Sequence, residues 1–213
     1  MKYALVTGGS RGIGRAVSIK LASMGYSVIV NYVSNEAKAL ETIAAIKGNG
    51  GSAEPLKFDV GNAEETESAL KGWQEAHPDD YIQVLVNNAG IRKDQIMVFM
   101  KPEEWHKVLN ITLDGFYNVL KPLILPMVQA RAGGRIVAIS SISGVIGNRG
   151  QTNYSAAKAG LIGAAALILV TPENFTDWKS WGICAAAFVA AFWGNAHPIL
   201  IIVISAALGI LLY

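Results

Sequence analysis

Between Tyr3 and Gly163, short apolar runs alternate with stretches of helical periodicity, and that alternation leaves very few folds open. Tyr3-Ala4-Leu5-Val6 reads as a strand ending in the turn Thr7-Gly8-Gly9. Gly12 to Met24 then sets Ile13, Ala16, Val17, Ile19 and Leu21 at helical spacing before Gly25 stops the run. Further strands are expected over 27–30, 55–60, 84–87 and 135–140. Helices are expected over 36–47, 63–76, 103–130 and from 153 onward, with Pro122 and Pro126 bending or interrupting the long one. Such alternation requires a parallel sheet with helices on both faces, a Rossmann-like doubly wound α/β fold. With the proline-bearing helix taken as two pieces, the pattern is truncated after the sixth helix and followed by an apolar helical tail.

Composition separates that tail from the rest. From Ala164 to Tyr213 the only formally charged side chains are Glu173, Asp177 and Lys179. The chain therefore divides into an incomplete α/β domain over 1–163, a junction over 164–182 and an apolar tail over 183–213. A net charge of +2 gives no reason to expect a nucleic-acid partner. The single cysteine, Cys184, excludes an internal disulfide and fits a reducing, cytoplasmic setting. His77, His106 and His197 are scattered without metal-ligand spacing, so no metal is expected. The first residues carry one basic side chain and about four apolar ones before Thr7, which is a buried strand rather than a signal peptide.

The turn Thr7-Gly8-Gly9-Ser10-Arg11-Gly12-Ile13-Gly14 lies where the first strand enters the first helix. Gly8, Gly12 and Gly14 would let the backbone turn sharply, approach a pyrophosphate and pack helix on strand. Ser10, Arg11 and Ile13 complete the loop, and the free N–H groups of the helix end attract phosphate. After the second strand, Asn31-Tyr32-Val33-Ser34 offers no carboxylate for a ribose 2′-hydroxyl, whereas Arg11 is placed to meet a 2′-phosphate. The expected cofactor is NADP(H).

With Asn87-Asn88-Ala89-Gly90 after the fourth strand and Tyr154-Ser155-Ala156-Ala157-Lys158 on the last helix, the chain resembles the short-chain dehydrogenase/reductases. GRIVAISSISGVIGNRGQTNYSAAKAGLIG and NNAGIRKD are similar to the 3-oxoacyl-[acyl-carrier-protein] reductases of bacterial fatty-acid synthesis. The resemblance covers 1–163 and implies an NADPH-dependent oxidoreductase acting on a carrier-linked or other 3-oxoacyl substrate. It makes Tyr154 the general acid, Ser141 the residue that orients the substrate oxygen, and Lys158 the partner of both Tyr154 and the nicotinamide ribose. The chemistry has its own warrant: a free phenol titrates at about pH 10, and a cation one helical turn on favours its ionised form. The resemblance also places Asp59 and Val60 at the adenine, and Asn87, Ala89 and Gly90 along the cofactor. It implies a homo-oligomer, although the elements that commonly make its contacts are not found here.

Two departures stand out. Thr112, in Thr112-Leu113-Asp114-Gly115-Phe116, stands where family members carry an asparagine that holds a relay water, so an altered proton relay is expected. Asn110 lies two residues away and cannot substitute without a register shift. Beyond Thr171-Pro172, no sixth strand, Pro-Gly turn or seventh strand can be found. Two apolar runs, Ile183 to Trp193 and Ile199 to Tyr213, stand there instead, each shorter than the roughly 20 residues of an upright membrane span. TPENFTDWKSW and HPILIIVISAALGILLY are similar to the end of chromate-transporter-type membrane proteins, which implies attachment to the inner membrane through 183–213. Ordinary helices packed over the open sheet edge are the other reading. A fusion of two reading frames would explain the abrupt change. On the fusion reading, the chain is a catalytically impaired cofactor-binding remnant with a transporter-like tail.

Overall fold

The computed structural model describes residues 1–130 and 133–169, and most of these form one compact unit, Met1–Gly163. The expectations for 170–213, including the apolar tail and its membrane contact, lie outside the described residues. No helix among the described residues is long and apolar enough to cross a membrane.

Among the described residues, five parallel strands form one sheet: β1 (Tyr3–Val6), β2 (Ser27–Tyr32), β3 (Ser52–Lys57), β4 (Ile82–Asn87) and β5 (Arg135–Ala138). Their order is β3-β2-β1-β4-β5, with Leu5 opposite both Ile29 and Leu85 in the centre. Successive side chains point to opposite faces of a strand, so the buried runs of β1 and β2 demand cover on both sides. Ala4, Val6, Val28 and Val30 meet Ala22 of α1 (Gly12–Ser23) and Ala39, Ile43 and Ile46 of α2 (Glu36–Gly48). On the other face, Tyr3 meets Trp73 of α3 (Ala63–Ala76) edge to face, with ring centroids 4.9 Å apart. The expected Rossmann-like α/β fold is therefore what the chain forms.

Two expectations need correction. The third strand begins at Ser52, not Pro55, and ends before Asp59. It pairs with β2 from Ser27↔Ser52 to Tyr32↔Lys57, and Pro55 is tolerated because β3 is an outer strand with one side of its ladder unpaired. The long helix is broken, but not at its prolines. α4 (Pro102–Leu109) passes through a π-helical turn, Asn110–Asp114, into α5 (Gly115–Gln129), which contains both Pro122 and Pro126. α5 buries Phe116, Val119, Leu120, Leu123 and Met127 along one side, and this packing offsets the two lost backbone hydrogen bonds. The short helix α6 (Ser143–Ile146) has no periodic signal in the sequence, and α7 (Thr152–Leu169) carries the tyrosine and lysine.

Candidate active site

In a parallel sheet every strand ends on the same edge, and the crevice opens where the strand order reverses, here between β1 and β4. The residues singled out from the sequence follow β1, β3, β4 and β5 or sit on α7, and so gather along that edge.

After β1, Gly8 and Gly12 have φ of +61° and +53°, values that side chains with a Cβ rarely adopt. Gly14 is required by space, since a Cβ there would lie 2.2 Å from the Gly8 carbonyl oxygen. Arg11 precedes α1 in extended conformation, and no described side chain caps the helix, so its first N–H groups have no side-chain partner. Arg11 and Ile13 are exposed and Ser10 is half-buried. This uncapped helix end, with a backbone cradle that any side chain at position 14 would fill, fits a dinucleotide pyrophosphate.

Polar side chains not singled out from the sequence hold the cradle. Asn31, buried at the end of β2, accepts from the Gly8 N–H at 3.1 Å and donates to the Phe58 carbonyl at 2.9 Å. Asn88 donates to the Thr7 and Gly8 carbonyls at 2.9 and 3.2 Å. The buried Thr7 hydroxyl accepts from the N–H groups of Asn88 and Ala89, both at 3.0 Å. A polar residue ending an apolar strand was the only trace of Asn31 in the sequence.

Asp59 and Val60 follow β3. One Asp59 carboxylate oxygen accepts the Gly61 N–H at 2.9 Å and so shapes its own turn, while Val60 is buried and accepts from Asn118 through its carbonyl. At the end of β4, Asn87 is 2% exposed and its side-chain nitrogen has no partner among the described residues. Ala89 and Gly90 continue the strip, and a Cβ at Gly90 would lie 3.4 Å from the Thr112 hydroxyl and 3.6 Å from Lys158 Nζ. The Thr112 hydroxyl, presented by the π-helical turn, is buried and also unpartnered. Asn110 points elsewhere, donating to the Gly61 carbonyl at 3.1 Å. Polar groups buried without partners are uncommon and mark places where a ligand or water belongs.

The segment after β5 is fastened to α7. Ser140 donates to the Lys158 carbonyl at 2.8 Å, and Lys158 Nζ donates to the Ile139 carbonyl at 2.6 Å. Ser143 donates to Gln151 at 3.3 Å, while Ser141 only accepts, from the Ser143 N–H at 3.2 Å. Of the three serines, Ser141 alone keeps its hydroxyl proton to offer. Lys158 is 3% exposed, and its ammonium lies 5.7 Å from the centre of the half-buried Tyr154 ring.

Burial lowers the Lys158 ammonium below the ordinary lysine range, because desolvation penalises the charged form. Between that lowered value and the free-lysine value of about 10.4, the unfolded chain holds more protons than the folded one. Stability is therefore expected to rise with pH across this window. Urea unfolding at stepped pH should show the rise, and Lys158→Met should flatten it; an identical slope in the variant would remove Lys158 as its source.

Comparison with known proteins decides what this arrangement belongs to. The sequence profile for short chain dehydrogenases matches residues 2–170. The chain belongs to the short-chain dehydrogenase family. As a short-chain dehydrogenase it is an oxidoreductase. It is 46% identical over 166 residues to the 3-oxoacyl-[acyl-carrier-protein] reductase FabG of Aggregatibacter actinomycetemcomitans, a match covering 78% of this chain and 68% of that one. Against the 3-oxoacyl-[acyl-carrier-protein] reductase of Synechocystis sp. it is 39% identical over 202 residues, covering 93% and 80%. The FabG of Staphylococcus aureus is 40% identical over 191 residues, covering 90% and 74%. Matches this long reach past residue 170, and they lend no support to the transporter-like reading of the tail.

Proposed function

We propose that this short-chain dehydrogenase is an NADP(H)-dependent 3-oxoacyl-[acyl-carrier-protein] reductase of fatty-acid synthesis, working in the cytoplasm on carrier-linked 3-oxoacyl groups. The observation that carries the reading is the buried Lys158 ammonium beside the Tyr154 ring, on the crevice edge that also holds the uncapped glycine turn. The names of the relatives support the substrate class.

Gly8, Ser10, Arg11, Gly12, Ile13 and Gly14 hold the phosphates, Asp59 and Val60 border the adenine, and Asn87, Ala89, Gly90, Tyr154 and Lys158 line the nicotinamide end. Bound NADPH supplies the hydride. Ser141 donates a hydrogen bond to the carbonyl oxygen and fixes its orientation. Tyr154 gives its hydroxyl proton to that oxygen as the carbonyl carbon is reduced, turning C=O into CH–OH. The Lys158 cation stabilises the phenolate left behind. The reductase unit spans 1–163, with 164–182 as junction and 183–213 as an apolar tail.

Oxidation of NADPH by the purified chain with a 3-oxoacyl thioester tests the assignment. A chain that binds NADPH yet turns over none of this substrate would overturn it and leave a cofactor-binding remnant. Self-association, which the resemblance implies, is checked by sedimentation, and membrane contact through 183–213 by fractionation.

Two substitutions probe the finer claims. Val33 and Ser34, exposed just beyond β2, carry no carboxylate, and Arg11 stands exposed at the turn. Arg11→Ala should weaken NADPH by about tenfold, the equivalent of roughly 1.4 kcal/mol, and leave NADH affinity nearly unchanged. Equal losses for both cofactors would place Arg11 away from the 2′-phosphate. Thr112→Val keeps the shape of a buried side chain and deletes its unpartnered hydroxyl. Turnover is expected to fall by about tenfold, less than the roughly 10²–10⁴-fold of a direct proton donor, with NADPH affinity retained. Unaltered turnover would take Thr112 out of the proton path.

A further inference from the structure

We propose that Asn153 is a positioning residue for this reaction, setting where Tyr154 stands relative to the nicotinamide end of the crevice. The inference rests on the reductase reading above. Asn153 is fully buried at the start of α7. A side-chain amide has two N–H groups and one oxygen to satisfy, and here all are engaged. The nitrogen donates to the Lys93 carbonyl at 3.0 Å and to the Glu104 carbonyl at 3.2 Å, and the oxygen accepts the Tyr154 N–H at 2.7 Å. The first N–H groups of a helix have no partner within it. Asn153 supplies one to Tyr154 while bolting that turn to two other segments.

The segments it reaches give the contact its meaning. Residues 88–95 continue the chain from the end of β4. At one end of this stretch Gly90 faces Lys158 Nζ and the Thr112 hydroxyl. At the other end Lys93 meets Asn153, and two more fasteners follow: Gln151 donates to Asp94 at 3.1 Å, and the Gln95 N–H donates to the Gly150 carbonyl at 2.8 Å. Gln95 and Gln151 also form an isolated parallel bridge. Glu104 belongs to α4, which leads directly into the π-helical turn bearing Thr112. Asn153 therefore ties the proton donor to the segment whose Gly90 lies beside Lys158 and to the helix that leads to Thr112. Loss of its donors would free the first turn of α7 to shift against that frame, and a displacement of about 1 Å at a reacting group can cost about 10²-fold in rate.

Two variants separate positioning from folding. Asn153→Ala removes all three contacts, and Asn153→Asp keeps the acceptor for the Tyr154 N–H but loses both donors. In each, kcat per NADPH-binding site is expected to fall by about 10²-fold, with NADPH affinity within about threefold of the parent chain. Hydrogen exchange followed by mass spectrometry should speed up in peptides covering 91–105 and 150–158 and stay unchanged in β1 and β2. Faster local exchange with kcat preserved would overturn the proposal, because the contact would then serve folding alone. Unchanged exchange would overturn it too. An inactive parent chain would refute the reductase assignment and this proposal with it, whereas an active parent with kcat preserved in both variants would refute the proposal alone. Should Asn153→Ala fail to fold, Asn153→Asp carries the same readouts.

Discussion

Tyr154→Phe is expected to cut NADPH-dependent reduction of a 3-oxoacyl thioester by about 10²–10⁴-fold, the usual contribution of a positioned general acid. NADPH affinity should stay within about threefold, since the substitution deletes one hydroxyl and keeps the ring. The ring packs half-buried at the head of α7, with the Lys158 ammonium 5.7 Å from its centre, and phenylalanine can fill the same space. The loss should therefore appear in kcat and not in cofactor binding or thermal unfolding. Rates from NADPH absorbance, set beside affinities from its fluorescence, separate the two. Turnover within about tenfold of the parent chain would mean that another group delivers the proton, and would remove Tyr154 from the mechanism.

Gly14→Ala should do comparable damage from the opposite side of the crevice. The added methyl would stand 2.2 Å from the Gly8 carbonyl oxygen, 2.7 Å from the Asn88 side-chain nitrogen and 2.9 Å from the Gly8 carbonyl carbon. Two of these are backbone atoms in a turn held by Asn31 and Asn88, so they cannot move aside as a flexible side chain would. Overpacking of this kind costs about 1–3 kcal/mol or more. Relief requires the turn to open, which moves the N–H groups that would hold the phosphates. NADPH affinity should drop by at least about 10²-fold, equivalent to roughly 2.7 kcal/mol, with a lower melting temperature. Gly48→Ala, at the end of α2 with nothing nearby for its methyl to meet, is the matched control. Equal affinities in both variants would show that the turn does not grip the cofactor.

The elements that the sequence shows most plainly are those whose cause is local. Tyr3–Val6 and Ser27–Tyr32 are unbroken buried runs, and a strand covered on both faces needs such a run. The glycine turn was legible because a left-handed backbone and a close approach both demand the smallest residue. The tyrosine and lysine were legible because one helical turn brings them to the same side. The break in the long helix was misassigned because prolines are the visible breakers, while a π-helical turn has no residue signature. It is recognised only by the wider backbone bonding that puts Thr112 inside and Asn110 against Gly61.

The hydrogen-bonding roles of Asn31, Asn88, Asn153 and Gln151 were equally silent. A buried amide is justified by its partners, and each of these has one 23 to 81 residues away, beside the nearer contacts of Asn153 with Tyr154 and of Gln151 with Ser143 and Asn148. Periodicity and motif spacing report what lies within one turn or one strand of a residue; they carry nothing about a carbonyl on another segment. The sequence by itself determined the strand-helix order, the glycine turn and the Tyr154–Lys158 pair, because helix pitch and backbone sterics act over a few residues. Only the tertiary structure decided that Lys158 is buried against the Ile139 carbonyl and that Thr112 and Gly90 share its pocket. It also decided that Asn153 bolts the tyrosine to that frame. Burial and hydrogen-bond partnership between distant segments exist only once the sheet has brought its strand ends to one edge.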